Sequence, residues 1–173
     1  MELQEAIKGR RSIRKFKKQN VTEETVAQLI EAASYAPSAG NIQPWEFVIV
    51  RNPTVKKKLA QAALDQAHVE EASAVIVVCA DEKSSSMGYG IRGRTLYCLQ
   101  DTAAATQNIL LTAHSLGIGT CWIGSFNEDE AKEALNVPEG VRPVAMIPLG
   151  YPDETLRHRG RKLLSQITHR DGF

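Results

Sequence analysis

Between Lys8 and Lys18 the chain carries seven lysines and arginines and no acid, although its formal net charge is only +1. Within that run the stretch GRRSIRKF, residues 9–16, has the residue types that hold an anion. Guanidinium groups offer a planar fork of donors that forms charge-assisted bonds to phosphate, and a serine hydroxyl can add one more. A local anion site is therefore one reading of the stretch. A solvated basic face is the commoner origin of such runs, and that reading fits Lys15, Lys17 and Lys18. A second basic stretch, RHRGRKLL, lies at residues 157–164. Other catalytic chemistry has little support. His68, His114, His158 and His169 are too scattered for a local metal site, and no P-loop, HExxH, paired-cysteine or GxSxG motif occurs. Cys79, Cys98 and Cys121 are odd in number and set in apolar surroundings, as expected of reduced core thiols. His114 is expected to face the end of its own helix.

The composition limits what can position these residues. With 173 residues, 43% of them hydrophobic and 24% charged, one globular domain over residues 1–173 is expected. Twenty acidic residues nearly balance 21 basic ones, so the overall field gives no reason to expect a polyanion partner, and any anion site must be local. A nucleic-acid-binding module using the basic stretch is the remote alternative, and its affinity would fall steeply with salt. No apolar run approaches a membrane span and the N-terminus has no continuous apolar core of a signal peptide, so a cytoplasmic protein without membrane or nucleic-acid partners is expected.

Periodicity then supplies the elements. Leu3, Ala6 and Ile7 suggest a short first helix. Val26, Leu29, Ile30 and Ala33 mark a second, with Thr22 as its N-cap. After the turn-rich PSAGN, WEFVIV reads as a strand, and Asn52-Pro53 opens a basic amphipathic helix. AVIVVCA, residues 74–80, is apolar on both faces and requires helical layers above and below. The segment from Leu96 to Leu116 is apolar on most of its circumference and is the expected central helix, ended by Gly117. Asn127 and Glu130 have capping-box spacing, and VAMIPLGY is the last strand, whose prolines suggest an edge or an irregular end. Trp122 is expected in the core. SSSMGYGIRGR, residues 84–94, has the composition of a flexible access loop, with Tyr89, Arg92 and Arg94 as speculative substrate contacts. The polar tail from Pro152 to Phe173 could hardly fold by itself.

The order RRSIRKF, APSAGNIQPWEFVIV, QDTAAATQNILL, GIGTCWIG and IPLGYP resembles the FMN-dependent nitroreductase family from end to end. The resemblance implies an α+β fold, a three-layer α/β/α sandwich around a central mixed sheet. It also implies a homodimer whose C-terminal tail, residues 152–173, is exchanged around the partner. FMN would be held without a covalent bond at the subunit interface, with NAD(P)H as co-substrate. By family position Arg10, Arg11 and Ser12 would meet the FMN phosphate and ribityl end, and Arg14 the pyrimidine edge. Pro37, Ser38, Ala39, Asn41 and Gln43 would reach the partner's flavin; Ala39 stands where many relatives have a second serine. Gly124, with Ile123 beside it, would offer its backbone N–H to flavin N5, and Arg161 and Arg159 would close over the phosphate. The implied activity is hydride transfer from NAD(P)H through N5 to a nitroaromatic, quinone or flavin-like acceptor in two half-reactions, with no side chain as general acid or base. A flavin-binding sensor or store without turnover is the alternative. Asp101 and Gln107 match recurring positions that would satisfy buried polar groups near the dimer interface.

Overall fold

Strand β2, Ala74–Asp81, is buried along all but its last residue, and the rest of the fold is built to cover it. The structure, a computed structural model, describes residues 1–155 and 160–173. β1, Trp45–Val50, runs antiparallel along one side of β2, with Trp45 opposite Ala80 and Val50 opposite Val75. β4, Val141–Gly150, lies antiparallel along the other side, and the two-residue β3, Gly119–Thr120, completes the order β1-β2-β4-β3. All three strand pairings are antiparallel. Among the described residues the mixed character expected of the sheet is confined to one isolated parallel bridge, between Ser12 and Thr120.

β4 was expected at an edge or with an irregular end; it is interior, and a register shift interrupts its pairing with β2. Proline removes one donor and keeps its carbonyl, so a central strand tolerates it where the lost bond falls at an irregularity or on a short neighbour. Pro143 sits beside the register shift at Val78 and Cys79, and the Pro148 carbonyl accepts the Cys121 N–H at 3.3 Å.

Side chains of β2 alternate between two cores because successive residues of a strand face opposite ways. Ala74, Ile76 and Val78 pack with Val26, Leu29 and Ala33 of α2, Glu23–Ser34, and with Ala105, Ile109 and Ala113 of α6, Cys98–Ser115. Val75, Val77 and Cys79 pack instead with Leu59 and Ala62 of α3, Pro53–Ala62, Val69 of α4, Ala67–Glu71, and Ala131 of α7, Glu128–Leu135. The result is the three-layer α/β/α arrangement. Each fully buried aliphatic side chain contributes about 1.5–3 kcal/mol to it.

Local chemistry sets the helix ends. Thr22 Oγ1 accepts the Thr25 N–H, and Asn52 Oδ1 accepts those of Thr54 and Val55. Asn127 Oδ1 accepts from Asp129 and Glu130, while its Nδ2 donates to Glu130 Oε1 at 2.9 Å. At the end of α6 the Gly117 N–H donates to His114 O and the Ile118 N–H to Ala113 O. Gly117 takes φ 74°, which closes this paired cap and turns the chain directly into β3.

Two further expectations change. Residues 84–94 form no loop: α5 spans Glu82–Arg92, and a π-helical turn, Gly93–Tyr97, joins it to α6. Glycine and serine are poor helix formers, but here tertiary contacts override propensity. Asp81 caps α5 through the Ser84 N–H, and the buried Ser85 hydroxyl donates to the Gly93 carbonyl at 3.0 Å. The helix breaks at Tyr89 and Gly90. Trp122 is 40% exposed, because it alternates with the inward-facing Cys121 and Ile123. The short helix α4 had no sequence signal.

The first helix, α1, spans Leu3–Gly9 and buries only Ala6. The chain beyond it is docked along the sheet. The Ile13 N–H donates to Thr120 O at 2.8 Å, the Lys17 N–H to Tyr151 O at 2.8 Å, and the Asp153 N–H to Lys15 O at 2.9 Å. Residues 160–173 are exposed, including Leu163, Leu164, Ile167 and Phe173. Among the described residues no helix is long and apolar enough to cross a membrane.

The docking is tight at Gly119, where an added Cβ would lie 2.8 Å from Ile13 Cγ2. Gly119→Ala should therefore lower unfolding stability by about 1–3 kcal/mol, seen as a lower urea midpoint, with the loss confined to displacement of the Ile13 segment. An unchanged midpoint would show that the segment is loosely held.

Candidate functional site

Arg10 is the C-cap residue of α1, and the cationic run begins where that helix stops. Arg11 folds back, donating from Nη1 to Lys8 O at 2.6 Å and to Arg10 O at 2.7 Å. A cation is favoured at these carbonyls, so part of Arg11 serves the helix end. Arg10 is half-buried, and burial, then Arg11 and Arg161, pull its guanidinium below its ordinary value. Among the described residues neither Arg10 nor Arg14 takes part in an ion pair.

The backbone beneath these side chains is pinned. Glu154 Oε1 accepts the Arg14 N–H at 2.5 Å and the Lys15 N–H at 3.0 Å, and Ser12 bridges Thr120. A cleft of about 360 Å³ opens beside the segment, lined by Arg10, Arg11, Ile13, His114, Gly119 and Thr120 among others. Like charges gathered in a partly desolvated cleft repel one another, and a bound anion relieves that cost. Phosphate is the chemistry this donor set fits. Cys121 lies close by, but burial pushes its thiol up against the opposing pull of Arg14, Ser12 and Arg10. Burial also raises Cys98 and takes Cys79 up to about 12. All three cysteines are free and buried, which leaves no poised thiolate among them.

The second group of candidates forms a separate structure. Pro37 and Ser38 lead into a 3-10 turn, Ala39–Asn41. The Asp101 carboxylate accepts the Ala39 N–H, with its two oxygens at 3.2 and 3.3 Å. The Gln43 N–H donates to Ser38 Oγ at 3.0 Å, and Gly40, Asn41 and Gln43 all take positive φ. Asn41 and Gln43 are exposed, as is Gln107. α5 packs against this turn through Tyr89, whose hydroxyl lies against Gly40, and Tyr89 meets Tyr97 edge-on at 5.3 Å. Arg92 donates to the Tyr97 hydroxyl, while Arg94 lines a different cleft with Glu82 and Glu139. Tyr89, Arg92 and Arg94 therefore do not form one cluster.

Gly124 follows directly on Ile123, which exchanges both backbone hydrogen bonds with Met146 and is buried. Gly124 itself is exposed, and an added Cβ would meet only the Trp122 indole nitrogen, at 3.8 Å.

Arg10 and Arg11 thus line one cleft, with Arg161 close enough to act on Arg10, while Ser12 and Arg14 act together with Arg10 on Cys121. The residues 37–43 do not join them within one chain. Asp101, which holds that turn, sits in the first turn of α6, and His114 of the arginine cleft sits in its last. Thirteen residues of helix separate the two by about 20 Å. Arg159 lies outside the described residues. Sequence reasoning overlooked His114 as a lining residue and Glu154 as the anchor of the basic segment; no local pattern marks either role.

Residues 7–96 and 90–151 match the model of the nitroreductase family. Over 149 residues the chain is 40% identical to an Archaeoglobus fulgidus protein provisionally named NADH dehydrogenase/NAD(P)H nitroreductase, covering 84% of this chain and 82% of that relative. It is 31% identical over 182 residues to the FMN reductase (NADPH) of Bacillus subtilis, covering 98% of this chain and 73% of the relative. The solved NADPH:FMN oxidoreductase of Vibrio harveyi, complexed with NAD+, superposes with a TM-score of 0.91 at 29% identity, over 99% of this chain and 77% of that one.

Burial holds the Asp101 carboxyl above its usual range, and the Ala39 N–H pulls the other way. Because its folded value is raised, the ionised form costs stability as pH rises through the carboxylate range. Asp101→Asn keeps an acceptor for Ala39 without the charge and should match or exceed the parent at neutral pH, its advantage shrinking toward about pH 3. Asp101→Ala should lose about 1–3 kcal/mol in urea unfolding. Equal losses for both variants would contradict this role.

Proposed function

The chain belongs to the nitroreductase family, and from that premise we propose that it is an FMN-dependent oxidoreductase, taking hydride from NAD(P)H and passing it to a small oxidised acceptor. The observation that carries the reading is the cleft lined by the half-buried Arg10 and Arg11, with Arg161 near enough to act on Arg10. The donors there are the right kind for a phosphate dianion. Arg10, Arg11 and the Ser12 hydroxyl would bind the FMN phosphate, with Arg161 closing from the tail and Arg159 joining it. Arg14 would lie toward the pyrimidine edge, where a fixed cation favours the reduced form.

Bound FMN supplies reversible hydride acceptance at N5, so no side chain of this chain need act as general acid or base. The backbone N–H of Gly124, held in place by the Ile123–Met146 pairing, would orient the ring by hydrogen bonding. Pro37, Ser38, Ala39, Asn41 and Gln43 would contribute from a second copy. The distance of about 20 Å along α6 supports that division, since these residues cannot reach the arginine cleft of their own chain. A homodimer with two shared sites follows, with a nitroaromatic, quinone or flavin as acceptor.

The freshly purified protein should be yellow, or become so on titration with FMN, and anaerobic NADH or NADPH should bleach it. Arg10→Ala should raise the Kd for FMN by about tenfold or more, as expected for loss of a hydrogen bond to a charged group, while Lys17→Ala changes it little. A colourless protein that gains no flavin absorbance on titration would overturn the reading. A yellow protein that neither nucleotide bleaches would favour the binding-only alternative.

A further inference from the structure

His114 is a titratable side chain in the arginine cleft for which the flavin reading assigns no role. It occupies the last turn of α6, and its imidazole reaches across to the end of α1: a Cβ added at Gly9 would come within 2.7 Å of Nε2. The ring lines the same cleft as Arg10, Arg11 and Thr120. The charged groups around it are the Arg10 and Arg11 guanidiniums, the amino-terminal residue Met1 and the Glu154 carboxylate across the cleft. The carbonyl end of α6 is a further partial negative charge. Burial first, then Arg10 and Arg11, hold the imidazole below its ordinary value and so favour its neutral form.

We propose that His114 is a further phosphate-contacting residue of this cleft, and that it makes affinity for FMN rise as pH falls from about 8 toward about 6.5. The proposal depends on the flavin reading for the identity of its ligand. Without the anion two guanidiniums oppose a third positive charge. With a dianion between them that opposition is offset, and an imidazolium becomes a second donor to the phosphate. The bound form then has the higher pKa, so binding takes up a proton from solvent. Affinity therefore increases as pH falls through the bound-state value and levels off below the free-state value. The phosphate's own second ionisation, near about pH 6, sets the lower end of the useful window.

The test measures Kd by quenching of flavin fluorescence at about pH 8 and about pH 6.5, at fixed ionic strength, for FMN and for riboflavin, which lacks the phosphate. Wild-type protein should bind FMN about fivefold more tightly at the lower pH, and His114→Gln should lose most of that gain. Riboflavin affinity should not change with pH in either protein. Equal pH dependence in the two proteins, or the same dependence with riboflavin, would overturn the proposal. An NMR titration of wild-type imidazoles with inorganic phosphate gives an independent readout, with the His114 resonance assigned by its loss in His114→Gln. Its pKa should rise by about 1.5 units at saturation, the rise that a fivefold gain across that pH window requires. No movement at saturating phosphate would equally overturn the proposal. If wild-type protein binds no FMN, the flavin reading fails and the phosphate titration alone decides the role of His114.

Discussion

The hydrogen bond from the Ile13 N–H to the Thr120 carbonyl holds a run of cations against the edge of a sheet. Left to itself, a peptide with seven positive charges in eleven residues would spread into solvent. Here the backbone is tied at Thr120, at Tyr151 and by Glu154, and Ile13 lies over Gly119. Those attachments fix the positions of Arg10 and Arg11 although the charges repel. The folded chain thereby keeps an electrostatic tension that a phosphate would relieve. The buried sheet makes this possible, since β4 carries β3 at its side and β2 supports β4 from below the covering helices.

Helix α6 sets the second constraint. It is a spacer between the turn at residues 38–43, held through Asp101, and the cationic cleft bordered by His114. A ligand that needs both sets of residues would, as proposed, find them on two chains. On the proposed reading, the same helix that forms the core of each subunit also determines that the site is shared. On the same proposed reading, the exposed apolar side chains of the tail suit a segment whose partner is another copy.

Much of this was legible in the sequence because it depends on local chemistry. The i, i+3, i+4 spacing of α2, the Asn-Pro start of α3, the Asn127 cap and the Gly117 stop all act within a few residues of where they are written. The unbroken apolar run of β2 likewise reveals its burial. What escaped depends on distant partners. Serines and glycines of α5 form a helix only because Asp81 and Gly93 satisfy them and Tyr89 packs on Gly40. β4 is interior because Cys121 and Ile123 return to pair with it. Glu154 meets Arg14 across 140 residues. In the candidate site, the basic run was visible as residue types, whereas the separation of Asn41 from Arg10 was implied by the resemblance alone, and α6 gives it a physical cause.

Subunit mixing tests most directly whether the site is shared. Arg10→Ala and Asn41→Ala chains each impair both sites of their own dimer, but a mixed dimer would hold one intact site and one doubly altered site. After dissociation and reassociation of the two variants in equal amounts, half the dimers are mixed, so about a quarter of the tight wild-type FMN sites should return. If no tight sites return although mixed dimers form, all the residues of a site belong to one chain and the account is contradicted.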